Sequence, residues 1–287
     1  LLSECSSRVI FDAAITPFKA DHHYYFKRLL RSIRPDMLVM FDRGLVSFDG
    51  IHTICQSGAP FLAPARSDMK LTPHTILADG SYLADLRFWE NGVLHDEPRI
   101  TVRVIAYTLD DPQRNPDGQT FRLMTTLLDP DLYSAKVLVE IYHQRWEIEI
   151  SIDEIDTHQR LTWTPFRSQK PVGIIQEFYA LLLAYFVICS LRNQSAEILN
   201  QTPQRLSFIN ALRLIQHSIP ISQLLWKTHQ DQLFELFHQW QEYFQLPPRD
   251  NRLNPRVVKR KCSKFRRKKA TDHSIKVPPF AEIIRLL

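Results

Sequence analysis

The sequence predicts an α/β protein in which a mixed sheet is flanked by helices, with a β-rich insertion and a helical, basic C-terminal region. Three patterns predict it. Short apolar runs alternate with helical spacing up to about residue 70, strand-like runs dominate residues 71–128, and long helical patterns follow. A chain of 287 residues is long enough for a sizeable core and for about two domains.

The first segment, residues 1–70, is predicted to be the first part of the core. Its apolar runs are short and bounded by Pro, Gly or charged residues, and the runs between them have helical spacing. This alternation favours at least some parallel strand pairing. The predicted strands are 6–18, 36–41 and 59–66, and the predicted helices are 24–33 and 47–58.

The second segment, residues 71–128, is predicted to be a β-rich insertion. Asp79-Gly80 lies between two strand-like runs, which is a hairpin signal. Residues 99–109 alternate strictly between apolar and polar, and residues 121–128 form a further predicted strand after a turn-rich stretch.

The third segment, residues 129–217, is predicted to return to the core with long helices. Asp129 and Pro130 have the residue types of an N-cap and a first helical position, so a helix is expected from there through residue 156 or beyond. The apolar run 180–191 is too short to span a bilayer and predicts a buried core helix within 172–192. A further helix is expected to begin at Thr202-Pro203.

The last segment, residues 218–287, predicts a helix over 221–244 and then a basic tail. Residues 256–269 hold nine Lys and Arg and no acids, so the net charge of the rest of the chain is 5 − 9 = −4. A local basic run favours contact with a polyanion, and a solvated tail without a partner is the alternative.

Residues 142–156, YHQRWEIEISIDEID, carry the most specific pattern. On a regular helix Tyr142, Arg145 and Glu149 fall within an arc of about 60° on one face, with Trp146 directed away from it towards the core. A helix that brings a carboxylate to a catalytic centre would align such groups. A solvated face with i,i+4 charge pairing is the alternative reading.

Asp42 is the second candidate carboxylate. It follows a short apolar strand and begins the turn Asp42-Arg43-Gly44, and this edge of an open α/β sheet is where ligands collect. A strand-end Asp and a helical Glu can together build a divalent-metal site for phosphoryl transfer, because hard oxygen ligands suit Mg²⁺. A solvated turn Asp is the alternative.

Together these motifs resemble the DDE transposases of the insertion-sequence-4 family, which have a ribonuclease-H-like core. The family signature is Tyr, two residues, Arg, three residues, Glu, six residues, Lys, and residues 142–149 match it in type and spacing. The strand ending in DRG (42–44) also looks like the family. So do LMTTLLDP (123–130), DGSYL (79–83) and the basic segment NPRVVKRK (254–261).

The resemblance implies residue roles and a reaction. Asp42 and Glu149 would be catalytic and would bind Mg²⁺, for which Mn²⁺ can substitute. Water would cut DNA at the element ends, and the freed 3′-hydroxyl would then attack target DNA. The implied DNA-binding residues are Tyr142, Arg145, Arg66, Lys259, Arg260 and Lys261.

The sequence departs from the family at two places. Asp156 occupies the position of the signature Lys, where an acid is expected to repel DNA phosphate. The family's first catalytic Asp is expected upstream of this chain, so the chain is expected to be incomplete at its N-terminus and to cleave DNA poorly by itself. Asp12 is the one early acid on a predicted strand, at a place where the family carries no catalytic group.

These departures leave functional alternatives open. The chain could be a catalytically inactive, DNA-binding remnant of a transposase, or a nuclease on the same core that nicks DNA without joining ends. The expected partners are double-stranded DNA (terminal repeats and target) and a second copy on paired ends, with no membrane. Four widely spaced cysteines predict a reducing compartment, so the expected location is the bacterial cytoplasm, in the nucleoid when DNA is bound.

Overall fold

The computed structural model describes residues 1–17, 22–90, 93–160, 165–224, 227–247, 252–253, 269 and 275–287. These residues form two compact units. The helical unit comprises Leu1–Ile33 and Gln144–Pro247, and the sheet unit comprises Arg34–His143 and Pro248–Leu287. This division does not follow the four predicted segments, whose domain boundaries stay a prediction.

The strands are short outside the insertion. In chain order they are β1 (Leu2–Ser3), β2 (Ile10–Asp12), β3 (Val39–Met40), β4 (Phe61–Pro64), β5 (Thr75–Ile76), β6 (Tyr82–Glu90), β7 (Val93–Leu109), β8 (Phe121–Thr125), β9 (Arg252–Leu253), β10 (Ile275–Lys276) and β11 (Ile284–Leu286).

The helices are α1 (His22–Leu29), α2 (Phe48–Gln56), α3 (Ala135–His143), α4 (Glu147–Asp153), α5 (Pro171–Ile198), α6 (Phe208–Leu224), α7 (Lys227–Tyr243) and α8 (Phe280–Ile283). Single 3₁₀ turns occur at Leu30–Ser32, Arg43–Leu45, Gln144–Trp146 and Pro203–Arg205, and a π-helical turn at Glu154–Gln159.

The sheet unit is built on one mixed sheet. Its strand order is β3-β4-β8-β7-β6-β5, and β11 pairs with β7. β3 and β4 are parallel, whereas the other pairs are antiparallel. Helices α2 and α3 pack against strands of this sheet. The predicted class, an α/β protein with a mixed sheet flanked by helices, is confirmed.

Local signals explain the parallel strand pair. β3 and β4 consist of buried or half-buried apolar residues, as expected for strands covered on both faces. The helix between them begins where the Ser47 hydroxyl accepts a hydrogen bond from Gly50 N at 3.2 Å, which is an N-cap. It ends before Gly58, whose φ of +78° is the left-handed conformation that favours glycine after a helix.

One buried arginine ties the insertion to the segment before α3. Arg103 on β7 is fully buried and donates to Ser81 Oγ at 2.8 Å, to the Asp79 carboxylate and to the carbonyl oxygens of Asp129 and Tyr133. The predicted hairpin turn is also present, because Gly80 has a φ of +84° between β5 and β6. The DGSYL motif therefore has a structural role in the sheet unit.

The helical unit packs three long helices with the β1–β2 hairpin. Its core consists of apolar residues from β2, the π-helical turn and helices α5–α7. The buried members are Ile10, Ala13, Ile155, Leu182, Tyr185, Ile188, Cys189, Phe208, Ala211 and Phe237.

The helix predicted over 172–192 is present and extends to Ile198, but the prediction that the run 180–191 is buried was wrong for most of its surface. The run lies inside the 28-residue α5, which among the described residues is the one helix long and apolar enough to cross a membrane. Only 22% of its most apolar 18-residue stretch is buried. One face packs into the core through residues such as Tyr185 and Cys189, whereas the other leaves apolar side chains such as Leu183 exposed. Periodicity identifies the helix but does not show how much of its surface is covered.

The helix predicted from residue 130 through 156 or beyond is confirmed only in part, because helical structure runs from Ala135 to Gln159 but begins later and is not one regular α-helix. Asp129 Oδ1 accepts hydrogen bonds from the backbone N–H groups of Asp131 and Leu132, which closes a turn, and α3 begins only at Ala135. A 3₁₀ turn then separates α3 from α4, and the π-helical turn follows.

Two other boundaries differ from prediction. The predicted strand 6–18 is reduced to β2, because its first residues form the turn of a hairpin in which β2 pairs with β1. Pro203 begins a 3₁₀ turn instead of a long helix, and α6 begins at Phe208. The single helix predicted over 221–244 corresponds to parts of two helices, the end of α6 and the whole of α7.

Candidate functional site

Asp42 lies immediately after β3 and begins a 3₁₀ turn. Its Oδ1 accepts a hydrogen bond from Arg43 N at 2.7 Å, and its carbonyl oxygen accepts from Leu45 N at 2.9 Å. The side chain is exposed. Arg43 extends from the same turn to donate to Ser67 Oγ at 3.2 Å. The turn therefore presents the Asp42 carboxylate to solvent at the end of a strand, as predicted.

Tyr142, the first residue of the signature, contacts the strand that carries Asp42. It lies in the last turn of α3, and its hydroxyl donates to the carbonyl oxygen of Phe41 at 3.4 Å. Residues 101 positions apart are thus brought together next to Asp42. Burial and the nearby Tyr142 both raise the pKa of Tyr107, which lies beneath on β7.

Arg145 and Glu149 form the second part of the signature, in the helical unit. Arg145 Nη2 lies 3.2 Å from Glu149 Oε1, and the Glu149 side chain is 41% exposed. The Arg145 guanidinium also lies 5.5 Å from the centre of the Trp146 ring. The prediction that Trp146 packs in the core was wrong, because its side chain is 45% exposed.

The opposite side of α4 contacts buried charges that sequence reasoning missed. The Arg8 guanidinium bridges the carboxylates of Glu147 and Glu154, with Nη1 2.7 Å from Glu154 Oε1. Glu154 also accepts from Tyr185 Oη at 2.8 Å and lies 3.4 Å from Arg192 Nη1. No local pattern signals these pairs, because residues 139 and 146 positions apart meet only in the folded chain.

Asp156, at the position of the signature Lys, is paired with a cation. Its Oδ1 lies 3.2 Å from Arg160 Nη2, at a spacing of four residues that the sequence could have indicated. Asp153 accepts from Thr157 Oγ1 at 2.7 Å and lies 3.8 Å from His158 Nε2. Local partners thus offset part of the negative charge after Glu149.

The predicted DNA contacts outside the signature differ in how far the structure describes them. Arg66 is partly exposed, and its guanidinium is paired with Asp68, whose hydrogen bond raises the pKa of Arg66. A DNA phosphate would have to replace that carboxylate. Lys259, Arg260 and Lys261 lie outside the described residues, so their role in DNA binding stays a prediction.

The donors present suit a hard divalent cation better than a soft one. Asp42 and Glu149 each offer a solvent-accessible carboxylate, the ligand type that Mg²⁺ prefers. Asp12 is already engaged, because both its oxygens accept hydrogen bonds from Arg31 or Ser32. Among the described residues no group of three or more His, Cys, Asp or Glu is gathered as metal ligands.

Comparison with known proteins supports the resemblance. Residues 4–187 match the family described as the transposase DDE domain, and this range includes Asp42, Arg66 and the whole signature. The chain is also 24% identical over 272 residues to the transposase InsG of insertion sequence element IS4 from Escherichia coli (strain K12). That alignment covers 91% of this chain and 59% of the relative, so the chain spans about three fifths of the relative's length.

Proposed function

The chain belongs to the transposase DDE domain family, and on that premise we propose that it carries out metal-dependent DNA cleavage and strand transfer at the ends of an insertion sequence. Membership implies DNA as a partner and dependence on a divalent metal ion. The observation that carries the finer proposal is the exposure of Asp42 and Glu149, each at its family motif and each beside a further signature residue.

Asp42 and Glu149 are proposed to hold Mg²⁺, with Mn²⁺ able to substitute. The bound cation would supply Lewis-acid stabilisation of the charge that develops on the phosphate oxygens. The protein's part is to keep both carboxylates accessible. The Asp42 side chain accepts one backbone hydrogen bond within its turn, and the Glu149 side chain is paired with Arg145.

Tyr142 and Arg145 are proposed to position DNA. The guanidinium of Arg145 is matched to two phosphate oxygens, and a phosphate would compete for it with Glu149. Tyr142 is held beside the Asp42 turn through the carbonyl oxygen of Phe41.

The proposed chemistry is two displacements at phosphorus. In the first, a water oxygen bonds to the scissile phosphorus and loses a proton to solvent, while the P–O3′ bond breaks and the 3′ oxygen leaves as a hydroxyl. In the second, that 3′-hydroxyl attacks a phosphate of target DNA and displaces its 3′ oxygen. The first step exchanges a phosphodiester for a 5′-phosphate monoester and a 3′-hydroxyl, and the second exchanges one phosphodiester for another. Each step forms one P–O bond and breaks one, so no oxidant or reductant is needed.

A second candidate function is DNA binding without cleavage. Asp156 favours it, because an acid at the signature Lys position removes a phosphate contact and adds repulsion. Such a protein would keep its basic segment, whose contacts with the DNA backbone would be non-specific and sensitive to salt.

One experiment separates these candidates. Nicking of supercoiled plasmid is measured in Mn²⁺ and in EDTA, alongside DNA binding by fluorescence anisotropy, for the wild type, Asp42→Asn and Glu149→Gln. Asp36→Asn and Glu197→Gln serve as matched controls, because both acids are exposed and lie outside the proposed site. Nicking that needs Mn²⁺, Asp42 and Glu149 supports the proposal.

The remaining outcomes are equally informative. Equal DNA binding in Mn²⁺ and EDTA, with no nicking, supports the DNA-binding remnant. Nicking without joining of ends supports a nuclease on the same core. Absence of DNA binding under all conditions contradicts every one of these functions. Cross-linking with and without DNA that carries terminal repeats would test the expected pairing of two copies.

A further inference from the structure

We infer that Arg8 and Arg192 are positioning residues. Their buried ion pairs with Glu147 and Glu154, together called the clamp, hold α4 and thereby set the direction in which Glu149 points. This inference rests on the proposed function for the role of Glu149. Its structural part, the orientation of α4, does not depend on that role.

The geometry of α4 places the clamp and Glu149 on different sides. Glu147 and Glu154 are seven residues apart, which is about two helical turns, so their side chains leave the same face. Glu149 follows Glu147 by two residues, a rotation of about 200°. The buried ion pairs therefore lie on the face of α4 opposite Glu149. The Glu149 carboxylate is directed to solvent.

The clamp is buried and has several members. The side chains of Arg8 and Arg192 are each 1% exposed, and that of Glu154 is 8% exposed. Tyr185, fully buried, donates a further hydrogen bond to Glu154, and Arg192 donates to the carbonyl oxygen of Ser7 at 3.0 Å. The same cluster thus joins the hairpin, α5 and the beginning of the π-helical turn.

The backbone at Arg8 indicates that its side chain is required. Arg8 has a φ of +60°, the left-handed conformation that favours glycine. The turn is closed by a hydrogen bond from Arg8 N to the carbonyl oxygen of Glu4 at 2.9 Å. A glycine would fit this backbone with less strain, so the guanidinium must provide something that the turn does not need for itself.

Stability alone does not account for this cluster. Apolar side chains of similar volume often replace buried ion pairs without loss of stability. Arg8 Nη2 and Arg192 Nε, moreover, are buried and have no hydrogen-bond partner among the described residues. Hydrogen-bonded charges do what an apolar contact cannot, because they fix the rotation and register of the element that carries them. Here that element carries Glu149.

Carboxyl footprinting of the full chain tests the inference. Carbodiimide and glycine ethyl ester label accessible carboxylates, and mass spectrometry gives the rate at each residue. In the wild type Glu149 should be labelled much faster than Glu154. In Arg8→Met the two rates should approach one another, whereas Arg8→Lys, which keeps the charge, should partly restore the difference.

Two controls separate positioning from general support of the fold. Asp12 is a buried carboxylate of the same unit outside the clamp, so its labelling reports loosening of the whole unit. Arg103→Lys changes an equally buried arginine of the sheet unit and should leave the Glu149 to Glu154 ratio unchanged. The inference is overturned if a folded Arg8→Met keeps the wild-type ratio, or if Asp12 labelling rises together with that of Glu154.

A second variant covers the case in which Arg8→Met does not fold. Glu147→Gln weakens only the partly exposed arm of the clamp and should shift the ratio in the same direction by a smaller amount. An unchanged ratio in this folded variant would contradict the inference.

Mn²⁺ connects the clamp to function. In the wild type Mn²⁺ should protect Glu149 from labelling. Arg8→Lys should raise the Mn²⁺ concentration needed by up to about 10-fold, because Arg8 acts on Glu149 only through α4, whereas loss of a direct outer contact of a metal ligand costs about 10-fold or more. If Mn²⁺ gives no protection in the wild type, the metal-binding role of Glu149 fails, yet the labelling ratio still decides whether Arg8 orients α4. If the same Mn²⁺ concentration protects Glu149 in Arg8→Lys and in the wild type, the orientation of α4 does not affect metal binding. The functional part of the inference would then fail.

Discussion

Asp42 and Glu149 are held in place by two different means. Asp42 is positioned mainly by adjacent residues, through a two-residue strand, a 3₁₀ turn and one hydrogen bond to the next residue, with uncharged contacts from β4 and Tyr142 to the strand before it. Glu149 lies on a short helix fixed by buried charges from Arg8 and Arg192, far away in the sequence. A locally built position should tolerate distant changes, whereas a position fixed by remote contacts should not.

The largest effect should come from Glu154→Ala, because it leaves Arg8 and Arg192 buried without their shared carboxylate. We expect it to lower the free energy of unfolding by about 3–5 kcal/mol, the usual cost of breaking a buried ion pair. Hydrogen exchange should quicken over residues 144–160 and stay unchanged around Asp42. Urea unfolding measures the loss of stability, with Asp36→Asn as the control. A loss of unfolding free energy below about 1 kcal/mol would show that buried charges do not hold Glu149 more firmly than nearby contacts hold Asp42.

A smaller effect is expected for Tyr142→Phe. It removes the hydrogen bond to the Phe41 carbonyl oxygen, worth about 0.5–1.5 kcal/mol, and keeps the ring that packs in the sheet unit. If Tyr142 also positions DNA, nicking should fall further than the loss of stability explains. Nicking reduced only in proportion to the unfolded fraction would show that the hydroxyl is structural.

Acid should weaken the helical unit through His238. Burial lowers the pKa of His238, whose Nδ1 lies 2.7 Å from Ser195 Oγ on α5. Since the unfolded chain binds the proton more readily, stability is full above the ordinary histidine pKa of about 6.5 and is lost as pH falls through the lowered value. Urea midpoints measured from pH 7.5 to 5 should show this loss, and His238→Gln should remove it. A step that persists in His238→Gln would assign the titration to another group.

The smallest effect on stability is expected for Gly44→Ala, within about 0.5 kcal/mol. A Cβ at Gly44 would meet nothing within 4 Å, and the residue does not need a positive φ. If DNA comes close to the Asp42 turn, the same variant should reduce nicking although its stability is unchanged. Full activity would place the DNA away from this turn.

The same contrast explains what the sequence could predict. β3, α2, β4 and the hairpin at Gly80 follow from apolar runs, an N-cap and glycines at positive φ, all of which act within a few residues. Asp42 was correctly placed at the end of a strand for that reason. Whether it binds metal stays a prediction, since motif resemblance alone supports it.

The signature helix shows where local reasoning fails. Its pattern predicts one regular helix, yet the segment consists of a 3₁₀ turn, α4 and a π-helical turn. The sequence near Arg8 and Arg192 does not indicate that both pair with Glu154, which is 146 and 38 positions away. Only the folded chain brings them to Glu154.

The central claim is that Asp42 and Glu149 serve one metal ion or metal pair, and a crystal grown with Mn²⁺ and DNA tests it most directly. Anomalous scattering would locate the metal. The account predicts Mn²⁺ with carboxylate oxygens of both residues about 2.0–2.2 Å away, or flanking a pair of ions about 4 Å apart. Carboxylates more than about 12 Å apart, or Mn²⁺ bound to other residues, would contradict it.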